Sequence, residues 1–208
     1  MINKKYFVKT PSILKPIMGD MLWNIDSKKK ELFLTFDDGP TPKITPFVLD
    51  TLQNFNVKAT FFCLGKQVLK HPEILQRIKA EGHSIGNHSY SHPNGFTTCT
   101  KKYLKDIEKW KQIIPETKLF RPPFGNIYPW QISKLKKEYK IIMWNVVGWD
   151  FDKNTSKEKC FLNVVNNVGS GSIILLHDNE KAQENLQYAL PKIIEALKER
   201  RFAFSATW

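Results

Sequence analysis

Residues 32–42 read LFLTFDDGPTP, an apolar run that ends in two adjacent carboxylates, Asp37 and Asp38, followed by Gly39 and Pro40. Leu32–Phe36 has the length and composition of a buried strand, and Gly39-Pro40 halts it. Two neighbouring negative charges repel, and neither suits a strand interior. The stretch therefore reads as a strand that delivers two carboxylates to the loop at its C-terminal end.

That arrangement recurs along the chain. Strands are predicted at 59–64, 83–86, 119–120, 141–147, 172–176 and 202–204, and helices at 45–54, 72–80, 100–114, 130–139, 156–167 and 184–198. About seven strand-then-helix units without repeat or linker describe a parallel sheet covered by helices, either an open doubly wound sheet or a closed barrel. No GxGxxG or P-loop follows the first strand, which weakens the nucleotide-binding open sheet. Asp37-Asp38, His88, Arg121, Asp150 and His177 each sit just after a predicted strand. In a β/α barrel those loops converge on one face, where active sites are built. The expected fold is α/β: a distorted (β/α) barrel of about seven parallel strands, one domain over 31–208, with residues 1–30 as an extension packed on it.

A chain of 208 residues, 41% hydrophobic and 25% charged, is an ordinary globular domain rather than a disordered or fibrous one. Its formal charge of +12 would attract polyanions. The lysines are scattered, however, with short clusters at Lys28–Lys30, Lys101-Lys102 and Lys134–Lys140, and read as solvated helix faces and termini. No helix-turn-helix, zinc finger or RNA-stacking signature accompanies them, so no nucleic-acid partner is expected. Three cysteines without CxxC spacing exclude a disulfide scaffold and a structural zinc knuckle, and Cys63, in ATFFCLG, reads as a small core residue. The N-terminal lysines precede no sufficient apolar segment, so neither a cleavable signal nor an anchor is predicted. No run approaches the ~18–20 apolar residues of a membrane span, and the expected location is cytoplasmic.

Chemistry is concentrated in a few short motifs. GNHSYSH places His88 and His92 four residues apart, so that on one helical turn or a tight loop both imidazoles could meet one metal ion, or simply cap the loop. With an aspartate they form a facial set that leaves positions open for water and substrate. Zn²⁺ is the first choice for such nitrogen and oxygen donors, and Co, Ni or Fe would also suit them. His177 closes the apolar run SIILLHD, either as a hydrogen-bonded strand end or as a general acid. Two prolines stiffen the loop that carries Arg121, in FRPPFG, aiming it at a partner or at a surface ion pair. GWDFD offers Asp150 and Asp152, either of which would also serve as a loop cap.

Taken in order, TFDDGP (35–40), HSYSH (88–92), RPPFG (121–125), WDF (149–151) and LLH (175–177) resemble the five motifs of the polysaccharide deacetylases. These are the family four carbohydrate esterases, or chitooligosaccharide deacetylase homology domain. The resemblance implies Asp37 as general base, with Asp38, His88 and His92 as metal ligands. It implies that Arg121 orients Asp37 and Asp150 holds His177, the general acid. It further implies that the Phe124 backbone N–H binds the oxyanion, while Phe151 and Leu175 contact the substrate. The implied activity is metal-dependent removal of acetyl from an N-acetylated amino sugar or oligosaccharide. An O-acetyl esterase on the same site and a non-catalytic carbohydrate-binding relative are the alternatives. This chain departs from the motifs in having Val147 where the fourth motif usually has an earlier aspartate, Phe151 for its tryptophan, and Phe124 for the frequent tyrosine of the third.

Overall fold

The computed structural model describes residues 7–10, 20–27 and 29–208. Most of residues 1–20, over which no signal or anchor is predicted, and Lys28 of the first lysine cluster lie outside these.

Nine strands are present among the described residues: β1 (Met21–Leu22), β2 (Glu31–Asp37), β3 (Thr60–Cys63), β4 (Ser84–Asn87), β5 (Leu119–Phe120), β6 (Lys140–Ile142), β7 (Val146–Val147), β8 (Ile173–His177) and β9 (Ala203–Phe204). The helices between them are α1 (Ile44–Asn54), α2 (Gly65–Lys70), α3 (Pro72–Ala80), α4 (Thr100–Lys111), α5 (Pro129–Leu135), α6 (Lys157–Val165) and α7 (Gln183–Glu199). Strand order is β1-β6-β5-β4-β3-β2-β8-β7, with β9 added to the start of β2, and the ladders are parallel.

β2 is central, paired with β3 on one side and β8 on the other. Side chains alternate across a strand, so β2 serves two layers. Leu32, Leu34 and Phe36 face the helices and pack with Val48 and Leu49 of α1 and Ile193 of α7. Phe33 belongs to a separate interior cluster with Phe62, Ile142 and Ile173. Thr35 and Asp37 share the parity of Phe33, and this puts the Asp37 carboxylate inside the barrel rather than under the helices.

Strand order also shows why the sheet closes. β6 and β7 lie near opposite ends of it, yet only Met143–Asn145 separate them in the chain. At ~3.3–3.6 Å per extended residue the gap from Ile142 to Val146 is at most about 14 Å, so the two ends of the sheet must meet. At this seam Met143 N–H donates to Leu22 O (2.8 Å) and Asn145 N–H to Ile173 O (3.2 Å). The result is a distorted barrel in one domain, as expected.

The single strand predicted over 141–147 is therefore corrected to two strands with different neighbours. Apolar side chains at every position of this run except Asn145 conceal the break. The Asn145 side chain reveals it, since its Oδ1 accepts the Ile173 N–H at 2.9 Å. α2 and β1 were not predicted, being only six and two residues long. Residues 8–10 run antiparallel to β7, with Val147 N–H donating to Val8 O and Thr10 N–H to Asn145 O. Close approach fixes Gly171, which lies at φ 76° and where a Cβ would sit 1.7 Å from Ile25 O. Among the described residues no helix is long and apolar enough to cross a membrane.

Candidate active site

Asp37 is the last residue of β2, in register with His177, the last of β8. Asp38 follows at φ 82°, a left-handed conformation that turns it away from its neighbour. The two carboxylates thus leave the strand in different directions and acquire different partners.

Asp37 is buried and paired with the fully buried Arg121, whose NH1 donates to Asp37 Oδ1 at 2.7 Å and to Thr35 Oγ1 at 2.8 Å. The guanidinium is fixed on its other edges by Ile142 O (3.1 Å) and Met143 O (2.9 Å) and lies over the Phe62 ring at 4.1 Å. Arg121 is therefore aimed at Asp37 from the interior, and the alternative of a surface ion pair does not hold.

His88 and His92 emerge from the loop after β4, a tight loop rather than a helical turn. Ser89 (φ 69°) and His92 (φ 64°) adopt left-handed conformations there. Short polar side chains wind the loop: Asn87 Oδ1 accepts from Ser89 N–H (2.7 Å), and Ser89 Oγ from His92 N–H (3.0 Å). Asp106 of α4 ties it down by accepting from the Tyr90 and Ser91 backbone N–H groups at 2.8 and 2.9 Å.

The Nε2 atoms of His88 and His92 lie 3.5 and 3.3 Å from Asp38 Oδ1. One donor atom from each of the three side chains lies within 4.8 Å of the others. That Asp38 oxygen is buried and has no hydrogen-bond partner, while Oδ2 accepts from Asn179 Nδ2 at 2.7 Å. His88 Nδ1 faces the Arg121 carbonyl at 2.9 Å; a carbonyl only accepts, so Nδ1 carries the proton and Nε2 presents a lone pair. Burial, and then the neighbouring His92, push the His88 imidazolium down to about 3, and burial also lowers His92. Neutral imidazoles converging on an orphaned carboxylate oxygen are a donor set that fits a divalent cation.

On the opposite wall Asp150, fully buried, engages His177 with both oxygens. Oδ2 accepts the His177 backbone N–H at 2.6 Å, and Oδ1 lies 3.0 Å from Nδ1. Burial pulls this imidazolium down, but the charge and hydrogen bond of Asp150 outweigh it, and the pKa is pushed up to about 9. Asp152 instead caps an exposed turn, accepting from Asn154 N–H at 2.9 Å.

These groups open into a cleft of about 860 Å³ whose walls include Phe124, Phe151, Val147 and Leu175. The Phe124 ring stands edge-on to His92 at 4.4 Å and Phe151 edge-on to His177 at 4.6 Å. Phe124 is 60% exposed and held at φ 60°. Val147 pairs with Leu175 in register, so an apolar wall stands where the fourth motif usually has its earlier aspartate. The sequence reading missed Asn179, Asp106 and Asp178. Asp178 accepts from Gly39 N–H (3.0 Å) and Thr45 Oγ1 (2.6 Å), bracing the loop that carries Asp38. Its position immediately after His177 was the available signal.

Comparison with known proteins agrees with this geometry. Residues 24–142 match the family model described as polysaccharide deacetylase. The chain is 36% identical over 199 residues to a peptidoglycan-N-acetylglucosamine deacetylase of Bacillus cereus, covering 89% of this chain and 90% of that protein. It is also 36% identical to the peptidoglycan-N-acetylmuramic acid deacetylase PdaC of Bacillus subtilis, of which it spans only 38%. The crystal structure of the Bc1960 peptidoglycan N-acetylglucosamine deacetylase matches with a TM-score of 0.86 at 36% identity, over 93% of both chains. The chain belongs to the polysaccharide deacetylase family.

Proposed function

We propose that the protein is a metal-dependent deacetylase that hydrolyses the acetamide of an N-acetylated amino sugar in a glycan, with peptidoglycan as the substrate class. The observation that carries this reading is the convergence of His88, His92 and the unpartnered Asp38 oxygen between two buried acid–base pairs, Arg121–Asp37 and Asp150–His177. Asp38, His88 and His92 would hold the ion, Zn²⁺ first and Co, Ni or Fe as alternatives. Such an ion supplies a Lewis acid that polarises an acyl carbonyl and makes water more acidic.

The chain's own residues divide the remaining work. Asp37, oriented by Arg121, takes the proton of the attacking water. The Phe124 backbone N–H donates to the oxygen on which negative charge develops. His177, protonated through Asp150, gives its Nε2 proton to the departing nitrogen, so that acetate and a free amine result. Phe124, Phe151 and Leu175 form apolar surface for the sugar and its acetyl group.

A strongly proton-holding His177 supports amide rather than ester hydrolysis, because an amine must be protonated to leave while an alkoxide leaves more readily. Occupied base, ligand and acid positions argue against a non-catalytic module. A cell-wall substrate requires the protein to act outside the membrane; in the expected cytoplasmic location it would act on an acetylated precursor sugar.

The test measures acetate released from N-acetylglucosamine oligomers and from peptidoglycan by protein loaded with Zn²⁺ or Co²⁺. Asp37→Asn should lower turnover by about 10²–10⁴-fold while the bound metal, measured by elemental analysis, stays the same. Absence of acetate from every N-acetylated glycan, or full activity in the variant, would overturn the assignment.

A further inference from the structure

Three aromatic rings outside the cleft serve no buried cluster. Phe96 lies in the loop between His92 and α4, and Tyr128 and Trp130 follow Phe124 at the start of α5. Tyr128 and Trp130 are stacked, with centroids 4.3 Å apart and planes 13° apart, and Phe96 meets Tyr128 at 4.8 Å. Phe96 is 45% and Trp130 54% exposed, and the buried clusters of the described residues contain none of the three. Grouped exposed aromatics are unfavourable in water and mark binding surfaces.

The rings are nevertheless held firmly. Trp130 Nε1 donates to Thr100 Oγ1 (3.1 Å) and Tyr128 Oη to Phe96 O (3.4 Å). The buried Gln131 accepts from Tyr128 N–H (2.9 Å) and donates to Gly95 O (3.1 Å). Their polar edges are thus satisfied within the protein, and what faces outward is ring surface.

Two features identify the occupant. First, the cluster lies beside the cleft: Phe96 is four residues beyond His92 and Tyr128 four beyond Phe124, which limits each to within about 14 Å of a cleft residue, and Asn126 Nδ2 to Asn94 Oδ1 (3.2 Å) joins the two loops. Second, a pyranose presents a flat C–H face that packs on an aromatic face while its hydroxyls remain in water, which suits a half-exposed platform better than a buried pocket. We propose that Phe96, Tyr128 and Trp130 form a stacking platform for a sugar of the same glycan chain whose acetyl group enters the cleft. This rests on the deacetylase reading above and extends the glycan-binding surface beyond the reacting sugar.

The test compares kinetics on N-acetylglucosamine oligomers of increasing length with binding of the hexamer to metal-free protein, followed by the indole resonance of Trp130. Trp130→Ala should raise KM for the hexamer by about tenfold, leaving kcat and all kinetics on the monomer and dimer unchanged. Trp130→Phe should restore most of the loss, and the hexamer should shift the Trp130 resonance. An unchanged hexamer KM, an equal loss on short and long substrates, or a dimer in light scattering that Trp130→Ala dissolves would overturn the platform. If no oligomer releases acetate, the deacetylase reading fails, while the Trp130 resonance still decides whether the glycan binds here. An active enzyme with a silent Trp130 resonance defeats the platform alone.

Discussion

Asp150→Asn isolates what keeps His177 protonated. Asp150 has no exposure and contacts His177 at both the ring and the backbone. Asparagine preserves the shape and an acceptor for the backbone N–H but removes the charge. Burial alone would lower the imidazolium; Asp150 reverses that and holds it at about 9, with smaller help from Asp38 and Asp37. Because the folded value exceeds the ordinary one of about 6.5, the proton stabilises the fold below about pH 6.5, and this contribution is lost as pH rises through about 9. The gap corresponds to roughly 3 kcal/mol of preference for the charged ring. In Asp150→Asn the midpoint should fall by about two pH units or more, so that at pH 7.5 the protonated fraction drops from about 97% to about a quarter or less. An imidazole NMR titration of the metal-free protein measures this directly, and the alkaline limb of the kcat profile should move down with it. A His177 midpoint that stays near 9 in the variant would refute the reasoning, since Asp38 and Asp37 would then be holding the proton.

Two further substitutions probe the other walls. Arg121→Gln leaves the Asp37 carboxylate buried without its cation and should destabilise the protein by about 3–5 kcal/mol in urea unfolding; a loss below about 1 kcal/mol would mean that Asp37 does not depend on this pair. Asn179→Ala removes the 2.7 Å hydrogen bond that orients Asp38 and should weaken metal binding by about 10–100-fold in calorimetric titration. Equal affinity in both proteins would show that the Asn179 hydrogen bond does not set the Asp38 geometry.

Much of this site was legible because a parallel strand changes abruptly from apolar to polar where it leaves the sheet. LFLTFDD and SIILLHD carry that change in their letters, and both end at the same mouth. The 141–147 run was not legible in the same way, since its break is imposed by a change of neighbours rather than of residue type. Asn179 and Asp106 are ordinary polar residues in sequence, and only folding brings them against Asp38 and the histidine loop. Phe96 and Trp130 look like core aromatics by composition, and their exposure emerges only once the loops that bear them are placed.

The seam between β6 and β7 has a consequence for durability. Arg121 grips the carbonyls of Ile142 and Met143 on one side and Thr35 and Asp37 on the other, so it acts as a tie rod between the closing edge of the barrel and its central strand. A local opening at the seam slackens that rod and frees the Asp37 carboxylate it aligns. Partial melting at this seam therefore leaves no competent site behind, and heat inactivation should run at or ahead of loss of the sheet.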